Sequence, residues 1–349
     1  MTPLTTHMNY LPVDTVKAAL RFGRYMGVCL LLLLTPGCAR PLPAGAGVAS
    51  AKASGGRRIS LEVPASPYTR RVETTNGWVG LEVALRRFTP RSGTALPAPN
   101  VWLVGVTHLG TSNYYARLQR FLDAQDLVLF EGIGATNGQF HVAQSEGFSL
   151  QPALAKALGL RFQLSSVDYQ RTNWVNSDLG LRDLQRRLPP DGPSPSMDQV
   201  MAAFQGEGAF GVVARWGVAL LAASPRLQAV SRLMLIETLS GFEGELPDAG
   251  AFGIDTKELM RVLIGERNAV VVRDLRRVLH RRRPPANIAI FYGAGHMPDL
   301  EQRLRRELHL VPVEHQWLRA FSVNPARSGI SVAEAELIRD SVQQELKKK

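Results

Sequence analysis

Three short stretches of this chain place reactive side chains at the ends of apolar runs. Val101-Trp-Leu-Val104 leads into Gly105-Val-Thr-His108, and Ile288-Ala-Ile-Phe-Tyr292 leads into Gly293-Ala-Gly-His296. Between them in the chain, Leu127-Val-Leu-Phe130 ends in Glu131-Gly132. Two neutral imidazoles and a carboxylate are a usual donor set for a divalent metal, with positions left for water or substrate. A metal held this way makes hydroxide available near neutral pH and polarises a carbonyl. Glu131 is alternatively a general base if the histidines alone bind the metal. Taken singly the signals are weak, because a strand-end histidine is often a hydrogen-bonded structural residue and Glu131 also suits the cap of a turn. The repeated G-x-x-H grammar carries the reading.

These side chains need elements to position them. Runs such as 101–106, 127–130 and 288–292 are short and continuously apolar, as expected of strands covered on both faces. Helical spacing over 114–124 and 152–158 separates them. The alternation predicts an α/β fold with a central, largely parallel or mixed sheet flanked by helices. Ligands bind such sheets at the C-terminal strand ends, and each G-x-x-H glycine is expected to permit a tight turn there. Further strands are expected over 79–85, 161–167 and 309–321, and helices over 255–282, stopped by Pro284-Pro285, and 299–308. After the Pro-rich hinge at 189–196, the apolar helical stretch predicts an insertion or lid over about 198–250, either packed on the core or facing a membrane. Asp168, after a presumed strand, and Asp178, in Asn176-Ser-Asp178, are candidate outer partners for ligand histidines. Both equally suit turns.

With 349 residues the chain can bury a large core. Its 2 cysteines, Cys29 and Cys38, both lie near the start, so the rest of the chain holds no disulfide, cysteine zinc site or cysteine nucleophile. The formal charge is +11, but the basic residues are scattered apart from Arg57-Arg58, Arg281 to Arg283 and Lys347 to Lys349. Without a recognisable nucleic-acid-binding motif, no nucleic-acid partner is expected. Neither a G-x-S-x-G elbow nor an H-E-x-x-H helix occurs.

At the start, Lys17, Arg21 and Arg24 precede the apolar run Met26 to Leu34. That is the layout of a secretory signal, and the run falls short of the roughly 20 residues needed to span a bilayer. Leu34-Thr-Pro-Gly-Cys38 resembles a bacterial lipobox, although Thr35 and Pro36 depart from its usual order. The expected organisation is a signal peptide of lipoprotein type over 1–37, a flexible tether over 38–72, an α/β domain over 73–325 and a C-terminal helix and tail over 326–349. Cys38 is the lipidation candidate. A cleaved secretory signal and an uncleaved anchor are the alternatives. Ala39 rather than aspartate after Cys38 favours the outer membrane of the bacterial cell envelope, with a periplasmic or secreted protein as the other outcome.

Gly105-Val-Thr-His108, Phe130-Glu131, Gly265-Glu-Arg-Asn268 and Gly293-Ala-Gly-His296, in that order over about 75–325, resemble the TraB/PrgY/GumN group, which includes the Tiki metalloproteases. The resemblance implies an α/β fold shared with erythromycin-esterase-like enzymes and haem-binding lipoproteins. It also implies a metal site of His108, Glu131 and His296 for manganese, cobalt or zinc. Arg267 would be the cation that orients a carboxylate or stabilises an oxyanion. The implied activity is metal-dependent hydrolysis of a peptide bond, with Glu131 and Arg267 as catalytic groups, a peptide or small-molecule substrate, and a membrane reached through the lipid anchor. Two other readings stand beside it: a non-catalytic lipoprotein that binds haem, a metal or a peptide, and a scaffold that keeps the fold without activity.

Overall fold

The computed structural model describes residues 67–91, 99–132, 150–180, 208–241 and 260–347, with Asp183 and Arg186. The segment expected as signal peptide, Cys38 and most of the expected tether lie outside the described residues, as do both ends of the expected insertion.

The apolar runs form a seven-stranded mixed sheet. Its strands are β1 (Thr69–Glu73), β2 (Val79–Pro90), β3 (Asn100–Val106), β5 (Leu127–Phe130), β7 (Trp174–Asn176), β8 (Asn287–Gly293) and β9 (Leu310–Val323). β3, β8, β5 and β7 are adjacent in that order and mutually parallel. β2 runs antiparallel to β9 along one edge, and to β1 and then β3 along the other. The sheet is therefore parallel where the reactive residues sit and antiparallel at its far side. A separate two-stranded ribbon joins β4 (Leu109–Gly110) to β6 (Arg161–Phe162).

Period-2 alternation divides the strand side chains between two cores. Trp102, Val104, Val128, Phe130, Ala289 and Phe291 face one side. There they meet helices α1 (Ser112–Asp123), α2 (Leu150–Ala157) and α4 (Pro225–Ser240). Val101, Leu103, Leu127, Leu129, Ile288 and Ile290 face the other side, against α5 (Arg267–Leu279) and α6 (Met297–Glu307). The remaining helices are α3 (Gly208–Ala223) and α7 (Val332–Lys347). Local chemistry starts these helices where they start. Thr111 accepts a hydrogen bond from the Tyr114 amide, 3.2 Å, at the head of α1. Ser224 caps α4 ahead of Pro225 at its first position. Ser331 and Glu334 bond each other's amides to open α7.

Several expectations need correction. β1 begins inside the segment expected as tether and pairs with β2, so the folded domain begins before residue 73. The strand expected over 161–167 is only β6, followed by a 3₁₀ turn over Gln163–Ser165. The one or two strands expected over 309–321 are one, β9, and two register shifts against β2 let it bend. The C-terminal helix α7 contributes Ile338 to the first core and so belongs to the domain.

The glycines of the two G-x-x-H elements also differ from expectation. Neither is in a left-handed conformation. Gly105 lies within β3, and a Cβ there would stand 3.1 Å from Val83 Cγ1 and 3.3 Å from the Ala84 carbonyl. The glycine is needed for close approach to β2 rather than for a turn. Gly105→Ala is expected to destabilise the protein by about 1–3 kcal/mol through overpacking, read as a shift in urea midpoint at unchanged m-value.

Candidate functional site

Because β3, β8, β5 and β7 are parallel, the residues after each strand share one rim of the sheet. Those residues are His108, His296, Glu131 and Asp178. Glu131 follows Leu127 and Leu129 in the alternation, so it points to the face covered by α5. There it meets Arg267, the first residue of α5, which directly follows a π-helical stretch over Arg261–Glu266. Such stretches are rare and occur frequently at functional sites.

Arg267 is fully buried and stands at the centre of a polar cluster. Its Nε donates to Asp178 Oδ1 at 2.9 Å, and its Nη2 donates to Asp178 Oδ2 at 2.7 Å and to Glu131 Oε1 at 2.6 Å. Its Nη1 reaches the Leu263 carbonyl and His296 Nε2, each at 3.4 Å. The guanidinium has five N–H groups and these contacts engage them all. Asp178 also accepts the Gly132 and Leu179 amides, at 3.0 and 2.7 Å. Glu131 Oε2 accepts the Gly293 amide at 2.7 Å. The second G-x-x-H glycine thus serves the cluster through its backbone N–H.

His296 is fixed from the far side. Its Nδ1 lies 2.8 Å from Asn268 Oδ1. The Asn268 amide nitrogen donates to the His296 carbonyl and to Asp299, so its oxygen remains the acceptor and the imidazole proton sits on Nδ1. His296 Nε2 then faces Arg267 and lies 3.5 Å from Glu131 Oε1.

His108 makes no hydrogen bond to this cluster, although the charges of Glu131 and Arg267 act on it. Its carbonyl accepts the Gln163 amide at 2.9 Å. Its Nε2 is buried without a hydrogen-bond partner, and so is Gln163 Oε1. The Gln163 side chain is near enough to favour protonation of the ring, but no hydrogen bond of acceptable geometry joins the two. Gln163 is held in place by its own bond to the Tyr169 hydroxyl, 2.9 Å.

The electrostatics follow from burial and from this pairing. Burial alone would raise the Glu131 carboxyl, but the Arg267 guanidinium holds it far below its usual range. Burial would lower Arg267, yet Asp178 and Glu131 raise it, so it remains a cation. Burial pushes His108 below its ordinary value, and the charge of Glu131 opposes that only in part. Both folded-state shifts are downward, so both groups stabilise the fold at high pH and lose that contribution on acidification. The His108 contribution should be complete above pH 6.5 and fall below it, and that of Glu131 should fall below pH 4.5. Urea midpoints measured over a pH series should therefore decline in two stages, and His108→Gln should remove the first.

The structure thus brings Glu131, His296, Arg267 and Asp178 into contact and leaves His108 nearby with an unused nitrogen. Asp178 clamps Arg267 rather than a histidine. Asp168 is a half-exposed turn residue that pairs with Arg171 and bonds the Gln170 amide. Among the described residues, no group of three His, Cys, Asp or Glu side chains has the geometry to hold a metal ion. The donor chemistry agrees: both Glu131 oxygens are engaged and a buried cation stands against Glu131 and His296. In this geometry the three residues do not fit a shared metal. Arg267, with its N–H groups engaged, is placed to organise the rim rather than to touch an oxyanion. Gln163, Asn268 and the Gly293 amide were given no part from sequence; only Asn268, next to Arg267 in the Gly265-Glu-Arg-Asn268 motif, lay close to a signal.

Comparison with protein-family models, curated proteins and solved structures finds no match to this chain.

Proposed function

We propose that this chain is an envelope-anchored hydrolase that adds water to the carbonyl of a peptide or related amide or ester, with His108 as general base. The observation that carries the reading is the buried, unpartnered Nε2 of His108 at the C-terminal rim of the parallel strands, where ligands bind open α/β sheets. The resemblance to the TraB/PrgY/GumN group supports hydrolysis and the anchor from the side of the sequence.

A general base must be unprotonated at working pH and within hydrogen-bond reach of the water it activates. The depressed basicity of His108 meets the first condition near neutrality. Water bonded to Nε2 attacks the carbonyl carbon as its proton passes to the ring. The imidazolium then returns that proton to the leaving nitrogen or oxygen as the bond to carbon breaks. Glu131 favours the imidazolium, since its charge raises the basicity of His108. Glu131 and Asp178 against Arg267 leave one excess negative charge in the neighbouring cluster. The same pairing makes Glu131 itself a poor base. Gln163 Oε1, also unpartnered, is a second acceptor beside the ring for orienting the water.

The test is a screen of the full-length protein in detergent against a peptide library and chromogenic esters, with and without a chelator. Turnover that survives chelation and is lost in His108→Gln supports the proposal. Turnover that requires manganese, cobalt or zinc, with metal retained on elemental analysis, returns the site to the metal-dependent mechanism implied by the resemblance. Absence of turnover together with a His108-dependent Soret shift on haem titration returns it to a binding lipoprotein.

A further inference from the structure

The hydrogen bonds that place His108 are made by the main chain on either side of it. After it, the His108 carbonyl accepts the Gln163 amide, and Leu109 and Gly110 pair with β6. Before it stands Thr107, the first residue past the pairing of β3 with β8, which ends at Val106 and Gly293. Thr107 is buried, and its peptide groups turn from the sheet to helix α1. Tyr115 Oη donates to the Thr107 carbonyl at 2.9 Å. The Thr107 amide donates to Tyr114 Oη at 3.4 Å, and the Thr107 hydroxyl donates to the Leu109 carbonyl at 2.8 Å. The Thr107 carbonyl and the His108 nitrogen share one planar peptide unit, so holding that oxygen fixes the plane from which the His108 side chain departs.

The local sequence is shaped for this grip. Consecutive tyrosines in the first turn of α1 reach back across Gly110. A Cβ there would stand 2.6 Å from the Tyr114 ring and 3.3 Å from that of Tyr115, so only glycine admits both. The two tyrosines are buried, and burial raises their hydroxyls above the ordinary range, so each keeps its proton. Phenylalanine would fill the same core volume. The Tyr115 hydroxyl therefore serves the loop that carries His108 rather than the packing.

We infer that Tyr115 is a positioning residue for His108, its hydroxyl fixing the peptide unit that sets the imidazole at the rim. The inference rests on His108 as the base of the proposed hydrolysis, and Tyr115 acts only through it. The experiment is Tyr115→Phe in the full-length protein in detergent, alone and combined with His108→Gln, at a temperature where every variant is folded. On a substrate the parent turns over, kcat should fall on the order of 10-fold, while KM stays within about 2-fold. In the His108→Gln background the same substitution should leave the residual rate unchanged, because the group it places is gone. An equal fall in both backgrounds would overturn the inference, as would an unchanged kcat in the single variant. A readout free of turnover separates this from failure of the base itself. In protein labelled at histidine, the His108 ring signal is the one missing from His108→Gln. Tyr115→Phe should shift or broaden that signal and leave the other histidine signals in place. An unmoved His108 signal would overturn the positioning role whether or not the chain is a hydrolase. A moved signal, with turnover that His108→Gln does not lower, would keep the positioning role and end that of His108 as base.

Discussion

Arg267→Met should cost the fold about 3–5 kcal/mol, the scale expected when one partner of a buried ion pair is removed. The size follows from what remains. Glu131 and Asp178 are both buried, and each would lose its cation. Asp178 would keep two backbone amides and Glu131 one, which satisfies some lone pairs without neutralising either charge. The carboxylates would then be expected to take up protons, so the loss should be largest at high pH. Arg267→Lys should recover only part of it, because an ammonium cannot make the paired Nε and Nη2 contacts to Asp178 together with the one to Glu131. The sharper control is the triple variant Arg267→Met, Glu131→Gln, Asp178→Asn, which removes every formal charge at once. If the cost is electrostatic, the triple variant should be more stable than Arg267→Met alone. If the loss comes from packing of the long arginine stem, the added substitutions should restore nothing. Chemical denaturation at neutral pH, read as midpoint and slope, separates these outcomes.

The parallel half of the fold was legible because burial on two faces leaves an unbroken apolar run. Leu127 to Phe130 and Ile288 to Tyr292 could hardly be exposed, and the residue that ends each run falls on the same rim. The ends of β6 and β1 were not legible for the opposite reason. Residues 161–167 are apolar enough for a strand but close into a 3₁₀ turn through backbone bonds from Ser166 and Val167 to Gln163. Residues 69–73 are polar and basic but pair with β2 in a hairpin closed at Asn76-Gly77, a turn signal that apolar periodicity does not read. The site divides similarly. Strand ends announced His108, Glu131 and His296, whereas the partners of those groups depended on packing. Nothing in the spacing shows that Asp178 and Glu131 meet on Arg267 across 89 and 136 positions of chain. A carboxylate and two histidines read equally well as a metal site or as a charge cluster until the position of the arginine is known. A sequence pattern can place groups on a rim, but which of them lacks a hydrogen-bond partner is settled by packing in three dimensions.

The unpartnered nitrogen of His108 makes the strongest functional prediction. His108→Gln should lower kcat/KM by about 10²–10⁴-fold, the usual contribution of a positioned general base, on any ester or peptide the parent turns over. Stability at neutral pH should change by less than about 1 kcal/mol, because the buried Nε2 makes no hydrogen bond to lose. The pairing of a large kinetic loss with a small stability loss distinguishes a base from a structural histidine. His296 provides the contrast: its Nδ1 bonds Asn268 and its Nε2 faces Arg267, so His296→Gln should lower stability and activity together. A pH profile adds a readout that misfolding would not imitate. In the parent, kcat/KM should rise with pH as His108 loses its proton, and burial places that limb below the ordinary 6.5 of histidine. Glu131→Gln removes the charge that favours protonation, so in that variant the limb should move to still lower pH, provided the protein folds. In His108→Gln the residual rate should show no such limb, since no imidazole remains there to titrate. An unchanged limb in His108→Gln would assign the titration to another group and end the role of His108 as base.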